Sequence, residues 1–131
     1  MQRTDVNPWS WSLKYGYAQG LVLEGARRDL VFAGQTAVDA EGNPQHAGDM
    51  RGQLALALAN LEAVLGAAGM GLGNLVKLTV YTVDVDATLQ NWDVIGARLG
   101  GSGVAPPMTL LGVARLAMPT LLVELDALAV D

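Results

Sequence analysis

Cysteine is absent from this 131-residue chain, which removes disulfides, thiol nucleophiles and thiolate metal sites together. Histidine occurs once, at His46, so a transition-metal site would have to rest mostly on carboxylates, and no such cluster stands out. No metal and no cofactor are expected. Serine is scarce as well: Ser10, Ser12 and Ser102 are the three present, and none sits in a G-x-S-x-G elbow. Positive charge is in the minority, with 8 Lys and Arg against 13 Asp and Glu and a net charge of −5. Such a surface repels phosphate backbones, so a nucleic-acid partner is not expected. No apolar run approaches the roughly eighteen residues needed to span a bilayer, and the start M1-Q-R-T-D-V-N-P8 has no signal-type segment. The expectation is a cytoplasmic protein with no membrane partner.

What the chain does have is apolar surface: 51% of residues are hydrophobic and only 16% are charged, with a mean hydropathy of +0.30. For one domain of this size, that excess points to an oligomer interface. The expected organisation is a single domain over residues 1–131, with an N-terminal arm at 1–16 and a core at 17–131. Within the arm, the pair Trp9 and Trp11 needs a surface to pack on, and anchoring to the domain or a neighbour is favoured over stacking on a ligand.

Gln19 to Glu24 and Leu30 to Gln35 read as two strands, and the short turn at G25-A-R-R-D29 predicts a hairpin between them. The loop D39-A-E-G-N-P-Q-H46 is dense in turn formers, which leaves His46 solvated. From Asp49 to Met70, Met50, Leu54, Leu58, Leu61, Leu65 and Ala68 follow the three-four spacing of an amphipathic helix. The glycines of G69-M-G-L-G73 end that helix and make no phosphate loop, because they follow a helix and lack G-K-[ST]. Asn74 to Thr82 alternates as a half-buried strand. A second helix follows, capped by Asp86 and with Leu89, Val94 and Leu99 in its apolar set. The last strand, Thr120 to Val130, places Glu124 among aliphatic residues. Two strands, helix, strand, helix and two strands make an α+β pattern, with two helices on one sheet face and an apolar, uncovered face opposite.

Three segments carry a family resemblance: G16-Y-A-Q19, F32-A-G-Q35, and the stretch from V104-A-P-P-M-T109 through V113-A-R-L116 to the strand bearing Glu124. The chain resembles the Rid family, also called YjgF or L-PSP endoribonuclease-like, from about Tyr17 to Val130. That resemblance implies a chorismate-mutase-like domain, a homotrimeric barrel with a ligand cleft at each subunit interface, and a small-molecule partner. It also implies hydrolysis of enamines or imines, with an arginine after the proline turn holding the substrate carboxylate. Met108 stands where that arginine would be.

By the same resemblance, Tyr17, Ala33, Trp92, Met108, Thr109 and Arg115 line the cleft, and Glu124 is the catalytic residue that positions the hydrolytic water. Ala33 replaces a family serine. Trp92 replaces a family asparagine, with Asn91 one position away. A carboxylate among aliphatics is costly unless it is paired, hydrogen-bonded or used in proton transfer. Glu124 therefore has two readings: a catalytic group, or half of an interface ion pair with Arg115. Arg115 itself reads either as a substitute clamp for a substrate carboxylate or as a partner for an acidic side chain. Two functions remain open: a deaminase-type hydrolase with an atypical substrate, and a non-catalytic trimer that binds a small molecule.

Overall fold

In the computed structural model, which describes residues 1–131, the first half of the chain runs β1 (Gln2–Val6), β2 (Gly20–Glu24), β3 (Asp29–Val31), β4 (Gln35–Thr36) and α1 (Met50–Ala67). The second half continues with β5 (Leu75–Thr82), α2 (Val85–Gln90), α3 (Asp93–Ser102), β6 (Met108–Gly112) and β7 (Val123–Val130). Single 3-10 turns lie at Leu13–Tyr15 and Leu72–Asn74. Strand β7 is the hub of a mixed sheet: it pairs antiparallel with β3, β4 and β5, and β5 pairs in parallel with β6 at the edge. The fold is α+β, as the order of elements predicts. No helix is long and apolar enough to cross a membrane.

The core follows from two periodicities. Helix α1 turns Leu54, Leu58, Leu61 and Leu65 inward, and all four are essentially buried. They join Leu78 and Val80 of β5 and Leu125 of β7 in one cluster. Truncating one of these leucines to alanine costs about 2–5 kcal/mol, because transfer and cavity terms add. The Asp49 carboxylate caps α1 by accepting from the Gly52 N–H at 2.9 Å.

Several expectations are corrected. The hairpin between the first two predicted strands does not form: β2 pairs with β1, and β3 pairs with β7. The predicted strand Leu30 to Gln35 is split into β3 and β4 around Phe32, Ala33 and Gly34, and the last strand begins at Val123 rather than Thr120. Instead of two helices there are three, because the second breaks at Asn91 and Trp92. Its cap is Asp84, which accepts from the Ala87 N–H at 3.0 Å, and Asp86 lies in the first turn. Leu89 is 54% exposed, and Ile95 takes the buried place assigned to it. The face of the sheet away from the helices is not largely apolar. By register Lys77, Thr79 and Tyr81 of β5, Thr109 of β6, and Glu124 and Asp126 of β7, all half-buried, share it with the apolar Val31, Leu111 and Leu128.

Buried polar groups tie the helices to the sheet. Gln53, fully buried, donates to the Thr120 carbonyl at 2.8 Å and the His46 carbonyl at 3.2 Å, and accepts from the Leu122 N–H at 2.8 Å. Thr82 and Thr88, also fully buried, share a hydrogen bond of 2.7 Å between their hydroxyls. His46 is exposed in its loop, with φ of +56°.

Candidate functional site

Beside the edge strand β6 lies a cleft of about 230 Å³. Three segments distant in sequence build it. The 3-10 turn Leu13–Tyr15, closed by Gly16 at φ +83°, brings Trp11 and Tyr17 together, with ring centroids 6.2 Å apart at 83°. Only glycine takes that φ readily, so the sharp reversal depends on it. The second wall comes from the break between α2 and α3. Asn91 donates back to the Ala87 carbonyl at 2.8 Å, while Trp92 and Leu89 line the cleft. Strand β6 supplies Met108, Thr109 and Leu110. Met108 pairs with Leu78 and so sits on the helix side of the sheet, whereas Thr109 pairs with Thr79 on the other side.

Thr109 is the one lining residue that is not hydrophobic, and no Asp, Glu, Lys, Arg or His lines the cleft. Its hydroxyl accepts from the Lys77 ammonium at 2.8 Å.

Tyr17, Trp92, Met108 and Thr109 are thus brought together; Ala33, Arg115 and Glu124 are not part of this cleft within one chain. Glu124 lies on β7 between Thr36 and Tyr81. Its carboxylate packs directly on Gly34, where a Cβ would sit 2.6 Å from Glu124 Cδ. It makes no ion pair or hydrogen bond in the chain; the ion pairs are Arg28 with Asp131, Arg51 with Asp93, and Arg98 with Glu62. Arg115 is exposed in the loop between β6 and β7, and its guanidinium donates to the carbonyls of Leu116 at 3.2 Å and Ala117 at 3.4 Å.

Titration behaviour is perturbed elsewhere. The Arg28 guanidinium hydrogen-bonds Asp131 and holds its carboxyl below the ordinary value, Arg51 does the same to Asp93, and the backbone N–H of Asn43 lowers Asp39.

Trp11, Tyr15, Leu89 and Leu110 complete the cleft, and sequence reasoning did not place them there. The density of aromatics from Trp9 to Tyr17 was the available signal. Trp11 serves the cleft rather than only anchoring the arm, while Trp9 remains 63% exposed.

The family model described as Endoribonuclease L-PSP matches residues 13–131. A RutC family protein of Pyrococcus horikoshii is 29% identical over 124 residues, covering 95% of this chain and 87% of its own length. A RutC family protein of Synechocystis sp. is 34% identical over 118 residues, covering 87% and 85%. Among solved structures, YyfB of Yersinia pestis, from the conserved Rid protein family, superposes over the whole of both chains with a TM-score of 0.89 at 32% identity. TdcF of E. coli, solved with bound serine, gives a TM-score of 0.71 at 28% identity, covering 88% of this chain and 87% of that one.

Proposed function

Because this chain belongs to the Endoribonuclease L-PSP family, which embraces Rid and YjgF proteins, we propose that it is a Rid-like hydrolase of a small enamine or imine. The observation that carries the reading is Glu124: a half-buried carboxylate with no partner of its own, on the same sheet as an apolar cleft. In the reaction, Glu124 takes a proton from water as the oxygen attacks the C=N carbon. It then returns the proton to nitrogen, and after carrying the hydroxyl proton of the tetrahedral adduct to the same nitrogen it lets the C–N bond break, so that ammonia leaves and the C=O bond forms. The balance is imine plus water to carbonyl plus ammonia. A homotrimer supports this chemistry by setting the β4–β7 region of one protomer, with Ala33, Gly34 and Glu124, against the cleft of the next. The acidic surface gives ribonuclease activity no support.

A second reading is favoured by one specific feature, the apolar lining with Met108 in place of a charged clamp: a trimer that binds a small molecule without turnover. The test generates imines in situ with an amine oxidase or an amino-acid oxidase and traps them with semicarbazide. The hydrolase reading expects faster loss of imine, and a fall of about 100-fold or more in Glu124→Gln, the usual scale of a general acid–base group. No acceleration with either class of imine, alongside intact ligand binding, would leave the binding reading in its place.

A further inference from the structure

Resting on the reading of the cleft as the ligand site, the geometry points to a substrate class: a neutral, planar, carboxylate-free imine or carbonyl compound whose acceptor atom meets the Thr109 hydroxyl. Three observations converge. First, no fixed cation lines the cleft. Arg115 is turned onto carbonyls of its own loop, and Lys77, the one ammonium next to the cleft, is not a lining residue and is engaged by the Thr109 hydroxyl. A substrate carboxylate would lose its water there and find no guanidinium or ammonium of this chain in direct contact, Lys77 being reached only through the Thr109 hydroxyl.

Second, the walls are rings. Trp11 and Tyr17 meet nearly at right angles, and Trp92 adds a third surface, an arrangement that offers a flat ligand both a ring face and a ring edge. The cleft, about 230 Å³, holds the volume of roughly seven or eight liquid waters, which fits one six-membered ring with a short substituent.

Third, the Thr109 hydroxyl, which lines the cleft beside the ring-borne polar groups of Tyr15, Tyr17, Trp11 and Trp92, has a defined role. The Thr109 oxygen accepts from Lys77, so its hydroxyl proton is free to be donated, and the adjacent ammonium strengthens it as a donor. It suits a neutral nitrogen or oxygen acceptor and disfavours a cationic iminium beside Lys77.

Three probes with the same ring separate the alternatives by calorimetry: benzamide, benzoate and benzylammonium. Benzamide is expected to bind at least about tenfold more tightly than either ion. Thr109→Val, which keeps the shape and removes the hydroxyl, is expected to weaken benzamide by about fivefold to tenfold. Trp92→Leu is expected to weaken it by a similar factor. Met108→Arg is expected to invert the preference towards benzoate. Equal or tighter binding of benzoate or benzylammonium by the unmodified protein, no binding of benzamide, or indifference to Thr109→Val would overturn the assignment. The hydrolase reading fails separately. Benzamide binding without turnover of any imine removes hydrolysis and keeps the ligand class, while turnover of imino acids with benzoate binding does the reverse.

Discussion

Replacing Gly34 by alanine isolates the role of the Glu124 carboxylate, because the two touch without a bond. A Cβ on Gly34 would stand 2.6 Å from Glu124 Cδ and 3.0 Å from Cγ, whereas unstrained carbon pairs sit about 3.5–4.0 Å apart. The carboxylate must retreat by about 1 Å. Gly34 is not among the glycines with positive φ, so alanine brings no backbone strain, and the group that must move is the end of a flexible side chain. Stability should fall by no more than about 1 kcal/mol, the low end of overpacking costs. Turnover should fall by about 100-fold, since a misplacement of that size at a reacting group has that effect, equivalent to about 2.7 kcal/mol in the barrier. The assay is the trapped-imine rate together with a thermal melt, for Gly34→Ala, Glu124→Gln and the double variant. If Gly34 acts by leaving room for Glu124, the double variant is no slower than Glu124→Gln alone. A Gly34→Ala protein with near-normal turnover, or fully additive losses in the double variant, refutes the reasoning.

Gln53→Leu removes the partner of the Leu122 N–H and of the Thr120 and His46 carbonyls, and is expected to cost about 1–3 kcal/mol in urea unfolding, as part-buried backbone groups lose their hydrogen bonds. Ser12 is fully buried and its hydroxyl has no hydrogen-bond partner, so Ser12→Ala should leave the melting temperature unchanged or raise it; a clear drop would show a bond at that hydroxyl. Asp131 titrates below its ordinary 3.8 because Arg28 hydrogen-bonds its charged form. A depressed native value contributes stability above pH 3.8 that disappears as pH falls through the lower native value. Thermal melts across pH 5 to 2 should therefore be less steep in Asp131→Asn, and an identical acid profile would show that the pair contributes nothing.

Local pattern made a good part of this fold legible. The leucines of α1 carry their own period and their own cap at Asp49. Strand β5 alternates from Val76 to Thr82, past an irregularity at Leu75–Lys77, and β7 from Val123 to Ala129, so most side chains there could be assigned a face from position. What the pattern left undetermined was pairing. The turn after Glu24 is short enough for a hairpin, yet β2 joins β1 and β3 joins β7, since strand partners are chosen by competition among distant edges. The cleft has the same character. Trp11 and Tyr17, Trp92, and Met108 belong to segments that meet only once the sheet has formed, and the half-turn between α2 and α3 decides that Trp92, not Asn91, faces inward. Helix and strand periodicity are written in neighbours a few residues apart, so a single sequence displays them. Contacts across the chain depend on which surfaces bury one another, and that is settled only by packing.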